Sequence, residues 1–169
     1  RRALRVEVQP DPHCGDDDVL IEVAFNGLCG TDATEYSKGP MMVPLESRHL
    51  GSGHVGPTIL GHEFVGTVVD AGVNTRSRVG ERVACGAGVS CGQCDRCVEG
   101  RTNLCRGYYT LGLSANGGLA EFVAAPSNTC VGIPDGASDK EAGLAQPLAV
   151  GMHSVNRAQI TAGDCVAVL

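Results

Sequence analysis

The chain has 169 residues, 43% of them hydrophobic, and a formal net charge of −6. That length holds one domain with a real core, and that composition belongs to a globular rather than a disordered chain. No Lys/Arg-rich run or basic patch is present, which argues against nucleic acid as a partner; no run of about 18 apolar residues occurs, so no membrane span is expected.

Aromatic residues make up 4% of the chain, Trp is absent and Gly occurs 24 times, a profile suited to short strands joined by tight turns. Residues 4–8 and 19–25 nearly alternate apolar with polar and are rich in β-branched side chains, so both are predicted strands around a Pro-, Asp- and Gly-rich loop. Residues 34–43 hold a short helical turn broken at Gly39-Pro40, and residues 45–58 form a polar, Gly-rich surface loop. A strand over 64–70 ends in the turn Ala71-Gly72-Val73-Asn74, and a strand over 82–84 enters a Cys-rich loop spanning 85–105. Strands over 119–125 and 130–133 flank Pro126-Ser127-Asn128. Ser138 is placed to cap an Ala/Leu-rich helix, with Glu141 at the capping-box position, and a second helical stretch covers about 149–159. Thr161-Ala162-Gly163-Asp164 then turns into a final apolar strand beginning at Cys165.

Short strands followed by helix and one buried strand predict a mainly-β, barrel-like domain that hands over to an α/β domain. The division falls at 1–145 and 146–169. The first residue is Arg rather than Met, and the last apolar run stops in mid-strand, so the sequence reads as a piece of a longer protein.

Nine cysteines, CxxC spacing and no signal peptide fit reduced thiols and metal better than a disulfide framework, and point to the cytoplasm. Cys91, Cys94 and Cys97 stand at three-residue steps and Cys105 returns to them. A loop of this size can wrap a tetrahedral ion. Zinc suits four thiolates because it is borderline-soft and redox-silent. Scattered thiols, disulfides or an iron–sulfur cluster are the alternatives for such a set. With four ligands the site is closed, hence structural, and backbone N–H groups with Arg96, Arg101 or Arg106 are expected to offset its charge. Cys14, Cys85, Cys130 and Cys165 have no partner at ligand spacing and read as small buried or half-buried thiols. His49 and His54 read as solvated loop residues, His13 as exposed, His153 as packed or capping, and Glu121 as a structural strand residue.

A second set lies upstream in Cys29-Gly30-Thr31-Asp32 and Gly61-His62-Glu63. Thiolate, imidazole and carboxylate are ordinary zinc ligands, and three of them leave a coordination position open. Each element alone is equally compatible with a buried thiol and a solvated His-Glu pair. With the four-cysteine loop they form an ordered pattern, joined by Leu60-Gly61-His62-Glu63-Phe64-Val65-Gly66, Val79-Gly80-Glu81-Arg82-Val83, Gly117-Gly118-Leu119-Ala120-Glu121-Phe122 and Pro147-Leu148-Ala149-Val150. This pattern resembles the zinc-dependent medium-chain alcohol and polyol dehydrogenases. It is closest in pattern to the 2,3-butanediol or sorbitol dehydrogenases. The long interval between Cys29 and His62, with Glu35-Tyr36 and Gly39-Pro40, resembles 2,3-butanediol dehydrogenases more than simple ethanol dehydrogenases, and is equally compatible with an ordinary surface loop.

The resemblance implies a GroES-like β-barrel catalytic domain running into a truncated Rossmann domain. It also implies a catalytic zinc on Cys29 and His62, with Glu63 a ligand or a neighbouring carboxylate. Thr31 matches the residue that accepts the alcohol's proton, and Asp32 the carboxylate that orients His62. Such a site lowers the pKa of a small alcohol or diol hydroxyl, and hydride passes to NAD or NADP supplied by the further domain. Tyr36 is a candidate to line the pocket. Two departures stand out: Ala33 and Thr34 occupy the place where many members carry a shuttle His, and Gln146-Pro147-Leu148 replaces Glu-Pro-Leu. The resemblance further implies a homodimer or homotetramer at full length, and a fragment that is inactive alone. A zinc-stabilised, non-catalytic binding module is the alternative; a quinone-reductase-like relative is disfavoured because such members generally lack both zinc sites.

Overall fold

A computed structural model describes residues 3–168. The first strand, β1 (Asp18–Asn26), is followed by helix α1 (Gly30–Lys38) and strand β2 (Phe64–Ala71). Strands β3 (Arg82–Cys85) and β4 (Gly88–Val89) lead to the one-turn helix α2 (Asp95–Val98) and to β5 (Tyr109–Thr110). Strands β6 (Phe122–Pro126) and β7 (Cys130–Gly132) precede helices α3 (Asp139–Ala142) and α4 (Ala145–Arg157). The main sheet has the order β6-β1-β2-β3-β7 with every neighbouring pair antiparallel, and β4 pairs with β5 beside it. The fold is mostly β, with the sheet curled as a half-barrel.

Alternation puts one face of this sheet inside. Val19 and Ile21 of β1, Phe64 and Val68 of β2, Val83 of β3, and Val123 and Ala125 of β6 are at most 4% exposed and form one core cluster. Each large side chain removed from water in this way contributes about 1.5–3 kcal/mol. Two register shifts along β1, between Leu20 and Ile21 and between Val23 and Phe25, bend it against β2.

The ends of the chain depart from the sequence-based expectation. Residues 4–8 form no strand; Val6 and Val8 are almost fully exposed. Residues 165–168 also form none, and Cys165 is exposed rather than buried. Both runs have strand-like composition, but a strand exists only where a neighbouring strand takes its N–H and C=O groups. The capping box is present: the Ser138 hydroxyl accepts from Glu141 N, and the Glu141 carboxylate accepts from Ser138 N at 2.9 Å. The helix it opens stops after one turn, and α4 begins at Ala145 rather than near 149. No residue of α4 is buried; Leu148 and Met152 are 60% and 67% exposed, and His153 is exposed rather than packed. Among the described residues no helix is long and apolar enough to cross a membrane.

Candidate functional site

The register of β1 on β2 builds the upstream cluster. Asn26, the last residue of β1, lies opposite Phe64, the first of β2. Gly27 N donates to Glu63 O at 2.8 Å and extends that pairing by one step. Cys29 and the His62-Glu63 pair therefore emerge at the same end of the sheet, although 33 positions separate Cys29 from His62 in the sequence. One donor atom each from Cys29, His62 and Glu63 lies within 4.8 Å of the others.

Each side chain is held by its own local structure. Cys29 is the N-cap of α1, and Asp32, three residues on, turns back so that its Oδ2 accepts from Cys29 N at 2.9 Å. Thr31 Oγ1 lies 3.6 Å from Cys29 Sγ. Asp32 Oδ1 points instead at His62 Nδ1, 3.5 Å away, with the side chains only 7% and 6% exposed. At that separation the pair is not a hydrogen bond, and both atoms are buried without another partner. The Asp32 carboxylate thus faces one imidazole nitrogen and leaves Nε2 for a ligand.

A glycine framework sets the approach to His62. Gly117, Gly118 and Leu119 donate their N–H groups to Ile59, Gly61 and Leu60 carbonyls at 2.8–2.9 Å. Gly61 has φ +94°, and a Cβ there would strike the Asn26 amide. Asn26 Nδ2 donates to Gly27 O at 2.6 Å while its Oδ1 is buried without a partner. Gly27 lies against the Glu63 carboxylate, leaving no room for a side chain. The paired glycines at 117 and 118 were the one signal in the sequence that backbone packs closely here. Gln146 stands half-buried at the second position of α4. Tyr36 lies on α1 and is 46% exposed.

The four-cysteine loop is a separate, closed cluster whose donor atoms also lie within 4.8 Å of one another. Cys94 Sγ is 3.6 Å and Cys91 Sγ 4.0 Å from Cys97 Sγ. Those separations exclude disulfides and bracket the edge of about 3.8 Å that a tetrahedron with Zn–S of about 2.3 Å requires. Backbone groups supply the compensating positive field: Cys91 N and Gly107 N donate to Cys105 Sγ at 3.2 and 3.3 Å, and Arg106 N and Cys97 N lower the Cys94 thiol to about 6. The arginines do something else. Arg106 forms a two-pronged pair with Asp95 at 3.0 and 2.8 Å, and Arg96 pairs with Glu99 at 3.1 Å. Guanidinium groups reach carboxylates more favourably than thiolates, so backbone N–H groups contact the thiols while the Arg106 guanidinium acts on Cys94 through its charge alone.

His49 and His54 are not simply solvated. His49 Nδ1 accepts from Gly51 N and Ser52 N at 3.2 and 3.3 Å, and His54 Nε2 lies 2.9 Å from Thr58 Oγ1. They organise the long loop rather than approach either metal-ligand set.

Residues 15–135 match the model of the alcohol dehydrogenase GroES-like domain. The chain belongs to this family. Among curated relatives of the GroES-like chain, it is 35% identical over 168 residues to the sorbitol dehydrogenase of Bombyx mori, covering 98% of this chain and 46% of that protein. It is 34% identical over 170 residues to the sorbitol dehydrogenase of Bacillus subtilis, covering 99% and 46%. Its fold matches the crystal structure of 2R,3R-butanediol dehydrogenase from Bacillus subtilis with a TM-score of 0.87 and 30% identity, over 97% of this chain and 47% of that one. The chain spans about half the length of the curated relatives it matches.

Proposed function

We propose that this GroES-like chain provides the metal-binding catalytic part of a zinc-dependent dehydrogenase that oxidises a secondary alcohol, diol or polyol with NAD or NADP. The observation that carries the reading is the meeting of Cys29, His62 and Glu63 in one cluster, with His62 buried and Cys29 half-buried, backed by Asp32 and apart from the closed four-thiol set. The donor chemistry fits zinc at both places, and three protein ligands leave a position open at the first. A zinc ion there supplies Lewis acidity that lowers the pKa of a bound hydroxyl. In this reading Cys29 and His62 hold the metal, Glu63 adds a carboxylate beside it, and Asp32 orients the imidazole. Thr31, next to the Cys29 thiol, would accept a hydrogen bond from the alcohol hydroxyl and relay its proton, releasing its own hydroxyl proton toward solvent. Residues 1–145 form the catalytic domain, while 146–169 lead toward a nucleotide-binding domain. Relatives named for NADH- or NADP-bound structures and for polyol substrates support the nicotinamide and the substrate class.

Metal analysis of the full-length protein tests the proposal. Two zinc ions per chain are expected, falling to one in Cys29→Ser with loss of alcohol-dependent nicotinamide reduction. One zinc in the full-length wild type, unchanged by Cys29→Ser, would instead support a binding module stapled by the four-cysteine loop.

A further inference from the structure

Two cysteines that stand 45 positions apart, and that belong to neither metal cluster, face each other across the sheet: Cys85, the last residue of β3, is the register partner of Cys130, the first of β7. The backbone hydrogen bonds around them define the kind of pair they form. Gly86 N donates to Thr129 O and Ile133 N to Arg82 O, each at 2.8 Å. In an antiparallel ladder such bonds flank a non-hydrogen-bonded pair, in which Cα atoms stand about 4.5 Å apart and side chains approach most closely. A disulfide accepts Cα separations of about 4.4–6.8 Å, so no strand has to move to join these two sulfurs. Directly opposed residues also point to the same face, and both thiols are inside, at 4% and 7% exposure. Thr129 Oγ1 sits 3.5 Å from Cys85 Sγ and 3.9 Å from Cys130 Sγ.

The geometry points to a reversible oxidation site at Cys85 and Cys130, in which a small hydroperoxide converts the two thiols into a cross-strand disulfide. A polar cavity of about 390 Å³ lies beside the pair, lined by Gly86, Asn128 and Thr129, chain neighbours of the two cysteines, with Gly88, Ser90 and Thr102. β7 is a three-residue edge strand with Val131 68% exposed, so the pair sits at a short edge of the sheet.

The chemistry balances as follows. The Cys130 sulfur attacks one peroxide oxygen; the S–O bond forms, the O–O bond breaks, and the departing oxygen takes up the proton the thiol released. The Cys85 sulfur then attacks the Cys130 sulfur and loses its own proton; the S–S bond forms and hydroxide leaves as water. Two thiols are oxidised by two electrons, and one hydroperoxide is reduced to water and an alcohol, or to two waters when the oxidant is hydrogen peroxide. Cys130 is the residue suited to attack first. Its neighbour Cys85, together with Thr129 and the Arg78 charge, lowers its pKa, whereas Cys130 and burial push Cys85 well above the usual thiol range. The closed bridge would clamp β7 to β3 around a segment that contains the whole four-cysteine loop.

The test is a titration of the zinc-loaded, full-length protein with hydrogen peroxide. Samples are quenched in denaturant with a maleimide and mapped by mass spectrometry without reduction. The expected product is a peptide pair joined between Cys85 and Cys130, lighter by two hydrogens, reversed by a dithiol, and absent from Cys85→Ser and Cys130→Ser. An added small-molecule thiol serves as the control for oxidant dose. Recovery of Cys85 and Cys130 as maleimide adducts after the added thiol is fully oxidised would overturn the inference. So would over-oxidation of either one without a link, or a bridge from either to another cysteine.

Discussion

At the scale of the residue, Asp32 does two jobs with its two oxygens. One caps α1 through Cys29 N, and the other faces His62. Asparagine keeps an oxygen for the cap but removes the charge beside the imidazole. Asp32→Asn is therefore expected to leave the melting temperature nearly unchanged while lowering zinc affinity at the Cys29–His62 cluster by roughly 10–100-fold, the usual cost of losing such a partner. Competition with a chromogenic chelator measures it, and an unchanged affinity would assign Asp32 to capping alone. Gln146 is argued from charge. Zn²⁺ with one thiolate and one carboxylate sums to zero, and a second carboxylate would make the site negative and hold the cation harder. Gln146→Glu is accordingly expected to release zinc more slowly under chelator challenge; equal release would place Gln146 outside the metal's reach. The sequence supplied the identity of these residues. It did not contain the separation of the Asp32 and His62 side chains, because that follows from the pairing of β1 with β2.

At the scale of the element, close backbone approach decides more than propensity does. Gly66 lies in the middle of β2, between Val23 of β1 and Val83 of β3. A Cβ there would overlap the Glu22 carbonyl and crowd Ile21, whose side chain is fully buried. Gly66→Ala is expected to destabilise the fold by about 1–3 kcal/mol, as overpacking of a filled core does. Urea denaturation reads this directly, and a neutral result would mean that the β1–β2 spacing can relax. The four-cysteine loop is governed differently. Its Arg106–Asp95 pair has side chains 75% and 45% exposed, and solvent screens such a pair. The gathered thiols, not the ion pair, therefore account for the loop's stability once metal binds. The five strands of the main sheet were legible in the sequence to within a few residues because alternation and turn residues are local signals, whereas the two-residue strands β4 and β5 are too short to alternate and were not. Residues 4–8 and 165–168 carried the same signal and formed no strand, because pairing is not local.

At the scale of the whole molecule, Arg78 joins distant connections. Its guanidinium donates to Glu81 at 2.6 Å, to Ser127 O at 2.6 Å and to Cys130 O at 3.1 Å, tying the link between β2 and β3 to the link between β6 and β7. The hydrogen bond from Arg78 holds the Glu81 carboxyl below its ordinary 4.5. A carboxyl whose folded pKa is depressed stabilises the fold above its unfolded pKa and loses that contribution as pH falls through the folded value. The melting-temperature difference between wild type and Glu81→Gln should thus be full at pH 6 and shrink steadily below about pH 4.5. Differential scanning fluorimetry across that range checks the sign. A difference that grows on acidification would contradict it.

The sequence by itself determined the kinds of donor in each metal cluster, the alternation that makes the chain mainly β, and the pattern of motifs that places it in the GroES-like family. Residue type and spacing are properties of the covalent chain. Only the tertiary structure decided that Cys29 meets His62 and Glu63, that Asp32 divides its oxygens between a helix cap and an imidazole, and that Cys85 lies opposite Cys130. Each of those depends on strand register, and a one-residue slip would send every side chain of the slipped strand to the other face of the sheet.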